Sequence, residues 1–229
     1  MEFAQIGANI VKIMRDYWKV FLIEGISTTL ILTCIAVSLG AILGTLVAIM
    51  KMSRFRVLRF VVTAYVEIIR GTPILLQLYI FYFCLPQMLP FLKLSAFMWV
   101  AIAMCVNSSA YVSEVIRSGI QAVDKGQTEA ARSLGLSAGQ TMRKVVLPQA
   151  IKNILPAIAN EFVTIIKESS ICWTIGVQEI MAAVNSVKAA TFTIGEALII
   201  AACVYFCLTF PTSKIIEHFE RKMSRGDKR

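Results

Sequence analysis

Charge is what this sequence has least of. Asp, Glu, Lys and Arg make up only 16% of its 229 residues, while 57% are hydrophobic. Soluble domains carry about 25% charged residues, so a water-soluble globule is excluded and a membrane protein is expected. Histidine occurs once, at His218, so a histidine-based metal or nucleophile site has nothing to be built from. No G-x-x-x-x-G-K-[ST] run occurs, and no Gly-rich loop joins a strand to a helix. Binding of ATP by the usual phosphate-cradling route is thereby excluded, and no cofactor is expected in this chain. Six cysteines are present without a Cys-x-x-Cys pair, and five lie in or beside apolar runs, which predicts buried, reduced, structural thiols. The first nineteen residues include Glu2, Lys12, Arg15, Asp16 and Lys19 and lack the uncharged core of a cleavable signal peptide. No low-complexity tract, soluble repeat or interdomain linker is found.

What is abundant is long apolar sequence. Phe3, Ile6, Ile10, Ile13 and Met14 recur at steps of three and four, so residues 1–19 read as an amphipathic helix on the membrane surface. Five spans follow, at about Gly25–Met50, Val57–Cys84, Ser95–Ile116, Pro148–Lys167 and Ile194–Ile216. Gly40 and Gly44, four apart in the first span, predict a close helix–helix contact. Arg70-Gly71-Thr72-Pro73 interrupts the second span, and each half alone is too short to cross. Residues 168–193 read as mostly polar short helices at the surface. The length suits a single transmembrane domain over residues 1–229.

Positive charge sets the orientation. Net charge is +9, and the Lys and Arg cluster in short links, so topology explains them better than nucleic-acid binding. The link after span one has four, the loop at residues 117–148 has five, and the tail from Arg221 has five, against one each on the other side. The expected fold class is therefore an all-α integral membrane protein of five transmembrane helices, N-terminus outside and C-terminus cytoplasmic. The N-terminal segment, with Lys12, Arg15 and Lys19, runs mildly against the rule.

Charged groups inside spans cost about 2.5–3.5 kcal/mol each even on the lenient scale, so they mark candidate pathway positions. They are Glu67 and Arg70 in span two, Glu114 in span three, and Glu161, Lys167 and Glu168 in or beside span four. Glu67 and Arg70 are three apart and can pair on one helix face. Glu161 has no cation within a helical turn, and Asn160 beside it adds amide donors and acceptors. Gln77, Asn107, Ser108, Ser109 and Tyr111 complete the polar set. The two serines either bond to their own helix backbone or lie where the helix opens, freeing N–H groups for a carboxylate. A zwitterion needs an anionic and a cationic host region, and these residues offer both.

The most polar link has the most definite pattern. It opens with small residues and one carboxylate, breaks at Gly135, which can take the left-handed conformation that ends a helix, and closes at Leu147-Pro148. Glu129-Ala130-Ala131, three residues, Gly135, nine residues, Val145, one residue and Leu147-Pro148 resemble the E-A-A-x3-G-x9-I-x-L-P loop of ABC importer permeases. Val145 replaces the favoured Ile. Glu67-Ile68-Ile69-Arg70-Gly71-Thr72-Pro73 resembles the Glu-x-x-Arg-Gly-Thr-Pro stretch of permeases for polar amino acids. This resemblance implies a type I importer permease whose coupling helix sits in a cleft of a separate ATPase. It further implies alternating access powered by ATP and Mg in partner ATPase subunits, a second permease copy or related chain, and an extracytoplasmic substrate-binding protein. The competing reading is an ion-coupled secondary carrier or channel with no ATPase, its intramembrane carboxylates serving as ion sites.

Overall fold

A computed structural model describes residues 2–224, and no strand occurs among the described residues. The helices are α1 (Glu2–Trp18), α2 (Ile26–Lys51), α3 (Arg56–Arg70), α4 (Ile74–Tyr79), α5 (Leu85–Met88), α6 (Ala96–Gln121), α7 (Lys125–Ser133), α8 (Ala138–Thr141), α9 (Leu147–Glu168), α10 (Ile180–Thr191) and α11 (Ile194–Ser224). Three π-helical stretches, Lys19–Gly25, Ile80–Cys84 and Met142–Val146, splice α1 to α2, α4 to α5 and α8 to α9. The amphipathic N-terminal segment thus continues into the first span as one helix, Gln5–Lys51, instead of ending before it. The side chain of Phe3 and the tail cations Arg225, Lys228 and Arg229 lie outside the described residues.

Among the described residues three helices are long and apolar enough to cross a membrane, Gln5–Lys51, Ala96–Gln121 and Ile194–Met223. Arg56–Arg70 and Ile74–Met88 pass that test only together, as a sharply bent pair. Pro73, extended at φ −61° and ψ 137°, caps α4 and keeps the chain out of helix at the break. The 22 residues of α9 would span ~33 Å, but it is not among the helices apolar enough to cross, with Gln149, Lys152, Asn153, Asn160 and Glu161 along it. Among the three, the best 18-residue window of Ala96–Gln121 is 67% buried, against 28% and 22% for the outer two. So α6 is the most buried of the three, while the other two turn apolar faces outward.

The chain divides into two compact units, each assembled from three separate stretches. The first comprises Met1–Ala36, Pro73–Met104 and Phe162–Thr212. Its core brings Ile13 and Phe21 together with Ile180, Ala183, Val184 and Val187 of α10 and Ala197, Ile200, Ala201 and Val204 of α11. This corrects the expectation of a polar surface at residues 168–193. The buried positions of α10 follow the 3–4–7 spacing of one helix face, and Asn185, Ser186 and Lys188 interleave with them on the other. The second unit comprises Val37–Thr72, Cys105–Glu161 and Ser213–Arg229, and Val123, Val146, Ala150 and Ile154 form a small core in it.

In this second unit α2 rests on α6 through its two glycines. A Cβ at Gly40 would stand 2.7 Å from Ser108, and one at Gly44 2.8 Å from the Ser109 carbonyl oxygen and from Val112 Cβ. The expected close contact is therefore present. The cysteines depart from expectation, since only Cys105 and Cys172 are buried while Cys34, Cys84, Cys203 and Cys207 are exposed. They sit on the outward apolar faces that a bilayer, not a protein core, would cover.

Candidate functional site

Glu114, near the C-terminal end of α6, is the centre of the largest ionic cluster among the described residues. Its carboxylate accepts from Lys51 Nζ at 2.8 Å, at the last residue of α2, and from Arg117 one helical turn onward. Arg70, ending α3, approaches the same carboxylate at 4.0 Å and lies 5.5 Å from the Tyr111 ring, a cation–π contact. Arg117 also donates to the Gln121 side chain at 2.6 Å. Lys51 and Glu114 are mostly buried, with side-chain exposures of 12% and 15%. The expected pairing of Glu67 with Arg70 is thereby replaced. Among the described residues Arg70 pairs with Glu114, while Glu67 stands on an exposed part of α3. Lys51 and Arg117 were missing from the sequence-based set; Arg117 was detectable as the i+3 neighbour of Glu114.

The polar run of α6 does not open the helix, which is continuous from Ala96 to Gln121. Ser109 Oγ donates to the Val106 carbonyl at 2.8 Å and meets the Tyr65 hydroxyl at 2.6 Å. Ser108 is buried against Gly40. No free helix start is available there for a carboxylate, and the backbone-bonded reading holds for Ser109. Asn107 and Gln77 are buried, Gln77 in the first unit. Asn160 is exposed and Glu161 half-buried, both in the second unit, and each has polar interactions of its own. Lys167 and Glu168 close α9 in the first unit.

The loop between α6 and α9 folds as a helical knob. The Asp124 side chain caps α7 by accepting from the Gly126 N–H at 2.7 Å. At the other end Gly135 adopts φ 85°, its N–H donates to the Arg132 carbonyl, and the Leu136 N–H reaches the Ala131 carbonyl. That pair of bonds is a Schellman stop, which requires the left-handed residue glycine supplies. Ser137 and Gln140 then form a reciprocal capping box that starts α8. Glu129 and Ala130 are exposed, but Ala131 is 3% exposed and faces inward. Its small size serves the knob's own packing. Leu147 and Pro148 are exposed at the start of α9.

A further buried acid, Glu179, carries no sequence signal of its own, since it lies in a mixed polar segment outside the apolar runs. It caps α10, accepting from the N–H groups of Met181 at 2.9 Å and Ala182 at 3.0 Å, and from the Tyr205 hydroxyl at 2.7 Å. Burial raises its pKa to about 7 despite these bonds, which favour the charged form. The neighbouring Cys172 thiol, buried and beside Met104 Sδ at 3.7 Å, is pushed up to about 12, mainly by desolvation.

A family described as the binding-protein-dependent transport system inner membrane component matches residues 36–225. The chain belongs to it. The permease is 43% identical over 207 residues to the arginine transport system permease protein ArtQ of Bacillus subtilis (strain 168), covering 90% of this chain and 94% of that one. It is 43% identical over 212 residues to the putative glutamine transport system permease protein GlnP of Rickettsia conorii, covering 92% and 97%. Its fold superposes with a TM-score of 0.87 on the crystal structure of an amino acid ABC transporter with histidines, 44% identical over 91% of this chain and 96% of that chain. The permease therefore has the type I ABC importer fold and is a multi-pass membrane subunit of such an importer. The ATPase-free carrier reading is not favoured.

Proposed function

We propose that this permease moves a polar amino acid inward by alternating access, driven by separate ATPase subunits that bind ATP and Mg and dock on the α7 knob. The single observation that carries this is the knob itself, a capped helix stopped at Gly135 with open space around Gly135 and Gly139. The names of its relatives, which transport arginine or glutamine, support a polar amino acid as cargo. In this reading residues 1–229 form one permease domain that catalyses no reaction. Five spans cross the bilayer with α9 as the fourth, the N-terminus outside and the C-terminus cytoplasmic. A second permease copy or related chain completes the path, and an extracytoplasmic binding protein delivers the substrate.

Glu129, Ala130, Gly135, Leu147 and Pro148 serve coupling, with Ala131 holding the knob from within. Glu161, with Asn160 beside it, is the acidic group for a substrate ammonium, and Arg70 contributes the cationic side. Glu67, Gln77, Asn107, Ser108, Ser109, Tyr111, Glu114, Lys167 and Glu168 form the remainder of the polar pathway set. The test is reconstitution of the permease with its ATPase and binding protein. Gly135→Asp strains the left-handed stop and should retain ATP hydrolysis while losing most substrate uptake. Glu161→Gln should impair uptake with the complex still assembled. Normal coupled uptake in Gly135→Asp would refute the docking role.

A further inference from the structure

Beside α7 lies a cavity of about 690 Å³, within the roughly 300–1,000 Å³ range of pockets that take drug-sized ligands. Its apolar side includes Val123 and Val146, two members of the small core of this unit. Its polar side includes Gln121, Lys125 and Arg132. Lys125 and Arg132 are seven residues apart on α7, two helical turns, so they share a face. Arg132 donates to the Leu136 carbonyl through one N–H, one of the five donors a guanidinium carries. The described lining residues include these two cations and no carboxylate. Asp124, adjacent in sequence, is committed to capping α7. Thr141 also lines the cavity, is 2% exposed, and its hydroxyl has no hydrogen-bond partner among the described residues. A buried hydroxyl in that state is costly, and an acceptor oxygen supplied by a ligand removes the cost.

We propose that this cavity binds a small organic anion with an apolar body. Its acidic group sits between Lys125 and Arg132, its body covers Val123 and Val146, and one oxygen accepts from Thr141. Every contact is supplied by this chain. Carboxylates, sulfonates and lipid phosphates share the required chemistry, and they differ in whether they come from solution or from the bilayer.

The test uses the full chain in phosphatidylcholine nanodiscs, with 1-naphthalenesulfonate as probe, saturation-transfer NMR as readout and empty nanodiscs as blank. Expected is saturable binding above the blank, at least tenfold weaker for the neutral 1-naphthalenemethanol. The exposed double variant Lys125→Ala/Arg132→Ala should bind the sulfonate at least tenfold more weakly, and the near-isosteric Thr141→Val several-fold more weakly. Absence of saturable binding, or equal affinity in wild type and the double variant, overturns the proposal. In phosphatidylglycerol discs, a weaker probe affinity identifies a lipid headgroup as the competing occupant, and an unchanged one supports a soluble anion. No ATPase is present in these measurements, so their failure leaves the coupling role of α7 untouched.

Discussion

Glu179 is a carboxyl group whose ordinary pKa of 4.5 rises to about 7 in the folded chain, because burial outweighs three hydrogen bonds to it. The unfolded chain releases this proton at lower pH than the folded chain, so the stability it contributes is present below pH 4.5 and is lost as pH rises toward 7. At 1.36 kcal/mol per pKa unit, the full swing is about 3 kcal/mol. The expected outcome is that wild type gains thermal stability relative to Glu179→Gln as detergent-solubilised samples are taken from pH 8 to pH 5. A difference between the two that does not change with pH would contradict the assignment. The sequence did not disclose this residue, because a carboxylate ahead of a helix is ordinarily a solvated cap. What distinguishes Glu179 is Tyr205, 26 residues onward and on another helix. Glu114 was legible as a costly charge, and Arg117 as its neighbour. Lys51, 63 residues away, was not, because only packing of α2 on α6 brings it there.

At the scale of elements, glycine contacts separate crowded positions from open ones. A Cβ at Gly44 would meet the Ser109 carbonyl oxygen and Val112 Cβ at 2.8 Å, neither of which can move without the helix. At Gly119 the obstacle is Ile154 Cγ1, next to the branch of a side chain that is itself buried in the core of the second unit. Gly44→Ala should therefore cost about 1–3 kcal/mol through overpacking, read as a fall in melting temperature in detergent, and Gly119→Ala should lower it as well. Gly139→Ala, with open space around it, serves as the control. The Gly40/Gly44 contact and the Gly135 stop were both legible, since each depends on local spacing and on what glycine alone permits. The burial of α10 was not, because its apolar face, Ile180, Ala183, Val184 and Val187, alternates along the chain with Asn185, Ser186 and Lys188. The sharp bend at Gly71–Pro73 was legible as a break, though not in its extent, since proline forbids helix before it but does not say where the chain then heads.

For the whole molecule, the decisive property is apolar side chains turned outward, as the low burial of the Gln5–Lys51 and Ile194–Met223 helices shows. A bilayer and neighbouring chains must cover them. The orientation proposed from Lys and Arg counts predicts opposite accessibility for two exposed positions, once the six native cysteines are replaced by alanine. Gly139→Cys on the α7–α8 knob should react with an impermeant thiol reagent only from the cytoplasmic side. Phe192→Cys, 90% exposed between α10 and α11, should react only from the other. Labelling of both from one side would overturn the five-span arrangement. The junction at Glu114 carries a consequence of its own. One negative group on α6 holds the positive ends of α2 and α3 beside it, and discharging it would leave Lys51, Arg70 and Arg117 with no counter-charge between them. The ends of α2 and α3 would then have no charge on α6 to hold them there.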